Sequence, residues 1–305
     1  MGKVIILGAG GFIGRDVSRF FLEKVGAVEL YSRHSDSICG TPIKKMDLTR
    51  NLSLRELLRQ KKVKAMIYLS SLIPETFDAA NWHEFLSNLK MHKSVLEAWR
   101  NLKCHLIYAS SCSVYQQNKI IPWRETDVVM PDNYYSLSKL TGELMFLQVA
   151  QKENLPLTIL RLNSPYKVGA EKKRVINIFI QNALSGKNIQ LYGSGKRNQD
   201  FMYMPDVVRA FWSAYKKKVY GIFNIATGKT VTMKKLAQRI IKISRSSSKI
   251  VYLGKPDIQE HVKVKIDTLK ARKYLNFLPA FSLDQGIKEC IRQHREMFCE
   301  DRDNC

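Results

Sequence analysis

The chain has 305 residues, 45% of them hydrophobic, enough to bury a substantial core in one large domain or two small ones. No window is as uniformly apolar as a membrane span, and the six cysteines (Cys39, Cys104, Cys112, Cys290, Cys299, Cys305) have neither metal-ligand spacing nor the density of a disulfide framework. Lys and Arg total 50 against 27 Asp and Glu, a formal net charge of +23 that brings nucleic acid, anionic membrane and phosphorylated substrates into consideration.

Lys3-Val-Ile-Ile-Leu-Gly8 reads as a short apolar strand running into Gly8-Ala-Gly10-Gly11-Phe-Ile-Gly14, after which Val17, Phe20, Phe21 and Val25 recur at helical spacing. Strand, glycine turn and helix in that order are what a dinucleotide site requires. Gly8 permits the tight turn, Gly11 the close approach of backbone to a pyrophosphate, and Gly14 the contact of helix on strand. The pyrophosphate then faces free N–H groups and the positive end of the helix dipole. Ala27 to Tyr31 is the second strand. A carboxylate at its end would bind the ribose hydroxyls of NAD. Instead Ser32-Arg33-His34 presents a small polar group and a guanidinium, which suit the 2′-phosphate of NADP, with a merely solvent-exposed arginine as the plain alternative.

Strand-like runs follow at Ala65 to Ser70 and Cys104 to Ser110, separated by a long helical pattern from Ala79 to Trp99. Ser111 closes the second of these runs, at the carboxyl end of a strand, where open α/β sheets bind their ligands. Asn133 to Gln151 reads as helical and puts Tyr135 and Lys139, four residues apart, on one face. A free phenol titrates near pH ~10. A neighbouring ammonium is expected to lower that value and make Tyr135 a workable acid/base, whereas an exposed pair formed by chance is the bland reading. Leu157 to Leu162 is a further strand, Phe223 to Ala226 a late one, and Phe281 to Met297 a closing helix. The alternation of strands and helices predicts an α/β fold with a parallel, doubly wound sheet.

The basic residues fall in short, scattered runs: Lys44-Lys45, Lys61-Lys62, Lys172-Lys173-Arg174 and Lys216-Lys217-Lys218. None is interleaved with base-stacking aromatics and no groove-reading helix motif appears, so no specific nucleic-acid partner is expected. A phosphate-bearing substrate, peripheral association with an anionic membrane, or a solvated surface without a partner accounts for the charge at least as well. The N-terminus has no signal-peptide cleavage site, and Ile6 stands where a myristoylation signal needs Ser or Thr. The expected location is the cytoplasm, with reduced cysteines and no metal.

These motifs resemble, nearly end to end, those of the extended short-chain dehydrogenase/reductases of the NAD-dependent epimerase/dehydratase family, most of which act on nucleotide-linked sugars. Gly8, Gly11 and Gly14 match the family's glycine turn, and Ser110-Ser111-Cys-Ser-Val-Tyr115, followed by Tyr135 and Lys139, is similar to its catalytic segments. Arg161-Leu-Asn163-Ser-Pro-Tyr166, Tyr192 to Asp206 and Asn224 to Gly228 continue the match. The resemblance implies a Rossmann domain over residues 1–163 with a return near 205–228, and a smaller α/β substrate lobe over 164–204 and 229–305. It implies Ser111, Tyr135 and Lys139 as the catalytic triad. The cofactor is expected against Gly8, Gly11, Phe12, Ile13 and Gly14, against Ser32, Arg33, Asp47 and Leu48, and against Leu69 and Asn88, besides Tyr135 and Lys139. Ser111, Asn163, Lys196, Arg197 and Gln199 are expected on a nucleoside diphosphate sugar. A homodimer through the two long helices is also implied.

Four departures qualify the resemblance. Cys112 and Ser113 replace the Asp-Glu pair of the dehydratases, which argues against 4,6-dehydration. Gln116 replaces a glycine, Gln199 stands where an arginine usually meets the nucleotide's phosphates, and no second phosphate arginine is evident between Gly254 and Asp267. A lipid-linked diphosphate sugar therefore stays open beside a nucleotide sugar. The implied chemistry is hydride transfer at a sugar carbinol carbon, C4, leaning to NADPH-linked reduction of a 4-keto sugar because no acid follows the second strand. A 4-epimerase holding NAD is the alternative, and a cofactor-sensing module without turnover is a second one.

Overall fold

The computed structural model describes residues 2–50, 54, 62–74, 81–116, 119–169 and 174–303, with side chains described to residue 296. In chain order the first strands are β1 (Lys3–Leu7), β2 (Val28–Ser32), β3 (Asp36–Ile38), β4 (Thr41–Lys45), β5 (Val63–Tyr68), β6 (His105–Ser111) and β7 (Leu157–Leu162). The later strands are β8 (Pro165–Tyr166), β9 (Ile189–Leu191), β10 (Asn198–Gln199), β11 (Met202–Tyr203), β12 (Gly221–Ile225), β13 (Val231–Thr232) and β14 (Ile250–Tyr252). The helices are α1 (Gly14–Lys24), α2 (Trp82–Leu102), α3 (Tyr134–Glu153), α4 (Val175–Leu184), α5 (Met204–Lys217), α6 (Met233–Ser244), α7 (Leu269–Leu275) and α8 (Leu283–Asp303).

Eight strands form one sheet in the order β12-β7-β6-β5-β1-β2-β4-β3, parallel throughout except for the antiparallel pair β3–β4 at its edge. Helices cover both faces, so the inner strands are apolar on both sides rather than alternating. β1 shows how the two faces are served. Val4 and Ile6 join a core with Val17, Phe21 and Phe211, while Ile5 and Leu7 join another with Tyr68, Trp99 and Phe146. A third core, with Phe179, Leu191, Leu236, Ile240 and Ile287, lies among α4, α6 and α8.

The doubly wound parallel sheet is the architecture expected from the sequence. Its edge is not. Cys39 and Gly40 both adopt positive φ (49° and 75°), the geometry of a two-residue hairpin turn, and so return the chain as the β3–β4 hairpin. The long helix expected from Ala79 to Trp99 runs over Trp82–Leu102; Ala79 itself lies outside the described residues, as do Lys61, Lys172 and Lys173, and nothing is described of the Cys299 and Cys305 side chains. α3 packs on α2 and β6 at Gly142, where a Cβ would fall 2.7 Å from the Tyr108 hydroxyl and 2.9 Å from Nε2 of His92. The outer faces of α2 and α3 leave Trp82, Leu86 and Leu144 exposed. No helix among the described residues is long and apolar enough to cross a membrane.

Candidate active site

A cleft of about 740 Å³ opens along the carboxyl ends of β1, β2, β5, β6 and β7 and is closed on its other side by residues that follow β7. Its floor is the glycine turn after β1. Gly8 has φ +90°, and a Cβ there would meet the Ser70 amide nitrogen at 2.6 Å; at Gly14 it would meet the Gly8 carbonyl oxygen at 2.0 Å. Both glycines are thus fixed by packing of the turn. Gly11, Phe12 and Ile13 line the cleft between them, and Ile13 gives α1 no side-chain cap. The Arg15 amide already donates to the Gly11 carbonyl at 3.1 Å, but no side chain caps this helix end, whose positive dipole end favours an anion. This cradle fits the diphosphate of a dinucleotide.

Ser32 ends β2 and Arg33 and His34 follow it on the cleft wall, which Asp47 and Leu48 also line. The acid within β2, Glu29, belongs to a different cluster, pairing with Lys3 at 2.6 Å and Lys44 at 3.3 Å and accepting a hydrogen bond from Tyr31. Arg33 donates from Nε to Nε2 of His34 at 3.4 Å. The Asp47 carboxylate accepts from the Thr49 hydroxyl at 2.7 Å and the Thr49 amide at 2.9 Å, and these bonds hold its pKa below the usual carboxylate range.

Ser111 ends β6, and its side chain both accepts from the Ser113 amide at 3.2 Å and hydrogen-bonds Tyr135. Tyr135 sits in the first turn of α3. That turn is fixed by a capping box in which Asn133 Oδ1 accepts from the Ser136 amide at 2.9 Å and the Ser136 hydroxyl accepts from the Asn133 amide at 3.3 Å. One turn on, Lys139 is 3% exposed; its ammonium donates to the Ala109 carbonyl at 2.9 Å and lies 5.8 Å from the centre of the Tyr135 ring. Behind it Glu143 accepts from Arg161 at 2.6 Å and from the Ser110 hydroxyl, while Arg161 also bonds Tyr115. Glu143 and Arg161 are both buried.

The structure brings Ser111, Tyr135 and Lys139 together on the cleft wall, but the electrostatics differ from the expectation that the lysine makes the phenol acidic. Burial pushes Tyr135 up to about 12, opposed by the charge of Arg174 and the Ser111 hydrogen bond. Burial likewise pulls Lys139 down to about 7, with Glu143 opposing. Low-dielectric surroundings disfavour both charged forms. Tyr135 consequently keeps its proton at neutral pH.

On the opposite wall Arg197 pairs with Asp257 at 3.2 Å and donates to Gln259 at 3.0 Å, and Gln199 donates to the Ser164 hydroxyl. Asn163 also borders the cleft, but its amide donates to the Asp200 carbonyl at 2.7 Å. Two expected site residues do not line it. Lys196 is exposed, and Asn88 is 1% exposed, with its amide on the backbone of Leu72 and the hydroxyl of Ser138. Asn88 thus ties the loop after Leu69, which does line the cleft, to the helix of Tyr135. Ser164 and His34, which the sequence motifs included without a role, also line the cleft, as do Gln259 and above all Arg174, whose only sequence signal was membership of a basic run. Among the described residues no three His, Cys, Asp or Glu side chains group to hold a metal.

The family model for the NAD dependent epimerase/dehydratase family matches residues 4–226. UDP-N-acetyl-alpha-D-glucosaminuronate decarboxylase of Bacillus cytotoxicus is 28% identical over 319 residues, covering 97% of this chain and 98% of that protein. dTDP-4-dehydro-6-deoxyglucose reductase of Escherichia coli is 26% identical over 252 residues, covering 79% of this chain and 78% of the other. Among solved structures, the UDP-glucose 4-epimerase of Thermotoga maritima with UDP-glucose superposes with a TM-score of 0.88 at 22% identity, covering 97% of this chain and 99% of that one.

Proposed function

Because the chain belongs to the NAD dependent epimerase/dehydratase family, we propose that it interconverts the C4 carbinol and ketone of a nucleotide-linked sugar with NADP(H) as its cofactor. The nicotinamide ring, when bound, supplies or removes the hydride. The glycine turn and the N-terminus of α1 hold the diphosphate, and Lys139 stands beside the reacting edge. In the reducing direction Tyr135 gives its proton to the oxygen at C4, while Ser111 hydrogen-bonds that oxygen and stabilises its developing charge. A phenol that burial holds in its protonated form suits this donation. In the oxidising direction the same phenol must first lose its proton, which the charge of Arg174 assists. Cys112 and Ser113 offer no carboxylic acid, and the Cys112 thiol is buried and held well above its ordinary pKa by desolvation, so the reading omits 4,6-dehydration.

The observation that carries the choice of NADP is the wall after β2, where Ser32, Arg33 and His34 border the cleft and Glu29 is engaged elsewhere. A 2′-phosphate there would meet a planar guanidinium fork and a hydroxyl donor. NADPH should bind more tightly than NADH by about 1.5–3 kcal/mol, the range of a charge-assisted hydrogen bond. Titrating both cofactors against the native protein and Arg33→Ala tests this. The variant should lose most of the preference and keep its NADH affinity. Equal affinities in the native protein, or a preference that survives the substitution, would overturn the NADP reading and turn attention to an epimerase with retained NAD.

A further inference from the structure

Arg174 is a cation in the cleft that the diphosphate cradle and the 2′-phosphate wall leave unused. It immediately precedes α4, and its guanidinium carbon lies 4.0 Å from the centre of the Phe12 ring, stacked on the glycine turn. Its Nε is buried and has no hydrogen-bond partner among the described residues. Planar stacking on an aromatic face orients a guanidinium but leaves its in-plane donors unsatisfied. Asp47 is the one carboxylate among the described lining residues, and it lies beside Arg33 and accepts from Thr49. Arg197, the other arginine on the substrate side, is already paired with Asp257. Arg174 Nε is thus a desolvated donor without an acceptor among the described residues, and the guanidinium is close enough to Tyr135 for its charge to act on the phenol.

A cation with a desolvated donor left unpaired favours an anionic ligand that can accept from it. The position of that anion follows from Tyr135, which faces the oxygen at C4 in the reading given above. On a hexose, the exocyclic group two bonds from C4 by way of C5 is C6. We propose that Arg174 is a specificity-determining residue that receives a carboxylate at C6, so that the substrate class is a nucleotide-linked uronic acid. The planar carboxylate matches the fork of the guanidinium, whereas the hydroxymethyl group of a neutral sugar would leave its charge uncompensated. This inference rests on the C4 assignment, and it adds the identity of the neighbouring group.

Equilibrium binding tests it without turnover. With NADP present, UDP-glucuronate should bind roughly 10- to 100-fold more tightly than UDP-glucose, as for one charge-assisted contact. Arg174→Gln should abolish that ratio by weakening the uronate alone, and Arg174→Lys should restore part of it. Cofactor affinity, measured separately, should be unchanged in both variants. Equal binding of the two sugars by the native protein, a ratio that survives Arg174→Gln, or binding of neither sugar overturns the proposal. So does a loss of cofactor affinity matched by equal losses for both sugars, because the anion would then be the cofactor's diphosphate. Selective uronate binding without C4 chemistry would uphold this role of Arg174 and remove the reaction proposed above, which keeps the two failures apart.

Discussion

Tyr135 and Lys139 stand four residues apart on one helical face, as their spacing requires, yet burial shifts them in opposite directions, to about 12 and about 7. The charged groups that act on the phenol are set by the fold: Arg174 reaches it from the far wall, while Lys139 is engaged by the Ala109 carbonyl. Tyr135→Phe should remove only the ionisable oxygen. Turnover should then fall by roughly 10²–10⁴-fold, the usual contribution of a general acid–base group, with cofactor affinity nearly intact. Near-native turnover in a steady-state assay would take Tyr135 out of the mechanism. Ser111, Tyr135, Lys139 and the three glycines were legible in the sequence because each answers to a local rule, a strand end, a helical repeat or a turn. Arg174 was not, since in Lys172-Lys173-Arg174 nothing local marks one of three cations as a residue of the cleft. Lys196 shows the reverse, a basic residue expected in the site that is exposed and off the cleft wall.

α3 is the element on which the proposed chemistry depends, because its first turn holds Tyr135 and its second holds Lys139. Asn133 begins it with a reciprocal cap, and Ser138 hydrogen-bonds both the Tyr135 carbonyl and, through Asn88, the neighbouring long helix. Asn133→Ala should destabilise the protein by about 1 kcal/mol, typical of a lost N-cap, and should lower kcat more than it weakens cofactor binding, because the freed turn is the one that aims the phenol. Denaturant unfolding and steady-state kinetics read the two effects, and an unchanged kcat with the full stability loss would show that the cap supports only the helix. The helix was readable to within two residues at either end, as Asn133 to Gln151 against Tyr134–Glu153, since its cap and apolar repeat are strong local signals. The β3–β4 hairpin and the two-residue strands β8, β10, β11 and β13 were not readable. Segments that short complete no period, and their pairing is chosen by distant partners such as Val231 for Gln199.

Across the whole molecule the pH dependence of stability follows from groups that are buried uncharged. Burial lowers His92 to about 3, helped by the charge of Lys139, and lowers His105 to about 4. The unfolded chain protonates both near 6.5. Their contribution is therefore complete above pH 6.5 and is lost as the pH falls towards 3–4, by up to about 1.4 kcal/mol per pH unit for each histidine. Asp200, raised to about 6 from 3.8 by burial, and Asp132, also raised by burial, act with the opposite sign over part of that range, against the larger shifts of the two histidines. Unfolding free energy should fall between pH 6.5 and 4, and His105→Gln should flatten the decline; a variant as steep as the native protein would exclude His105 as a cause. The net charge of +23 was legible at once, but its one local expression in the cleft, Arg33, Lys139, Arg174 and Arg197 against Asp47, depends on the fold. The third core has a consequence for synthesis. It draws on 166–203, on 231–240 and finally on Ile287, Cys290 and Ile291, and between these stretches the chain returns to the large sheet as β12. On a translating ribosome, seven of the eight strands and the whole glycine cradle emerge by Leu162, whereas the core behind the opposite wall waits for α8. On the proposed function, a nascent chain would complete its dinucleotide cradle long before the wall that selects the sugar, and any cofactor bound at that stage would stabilise the first half while the second is still being made.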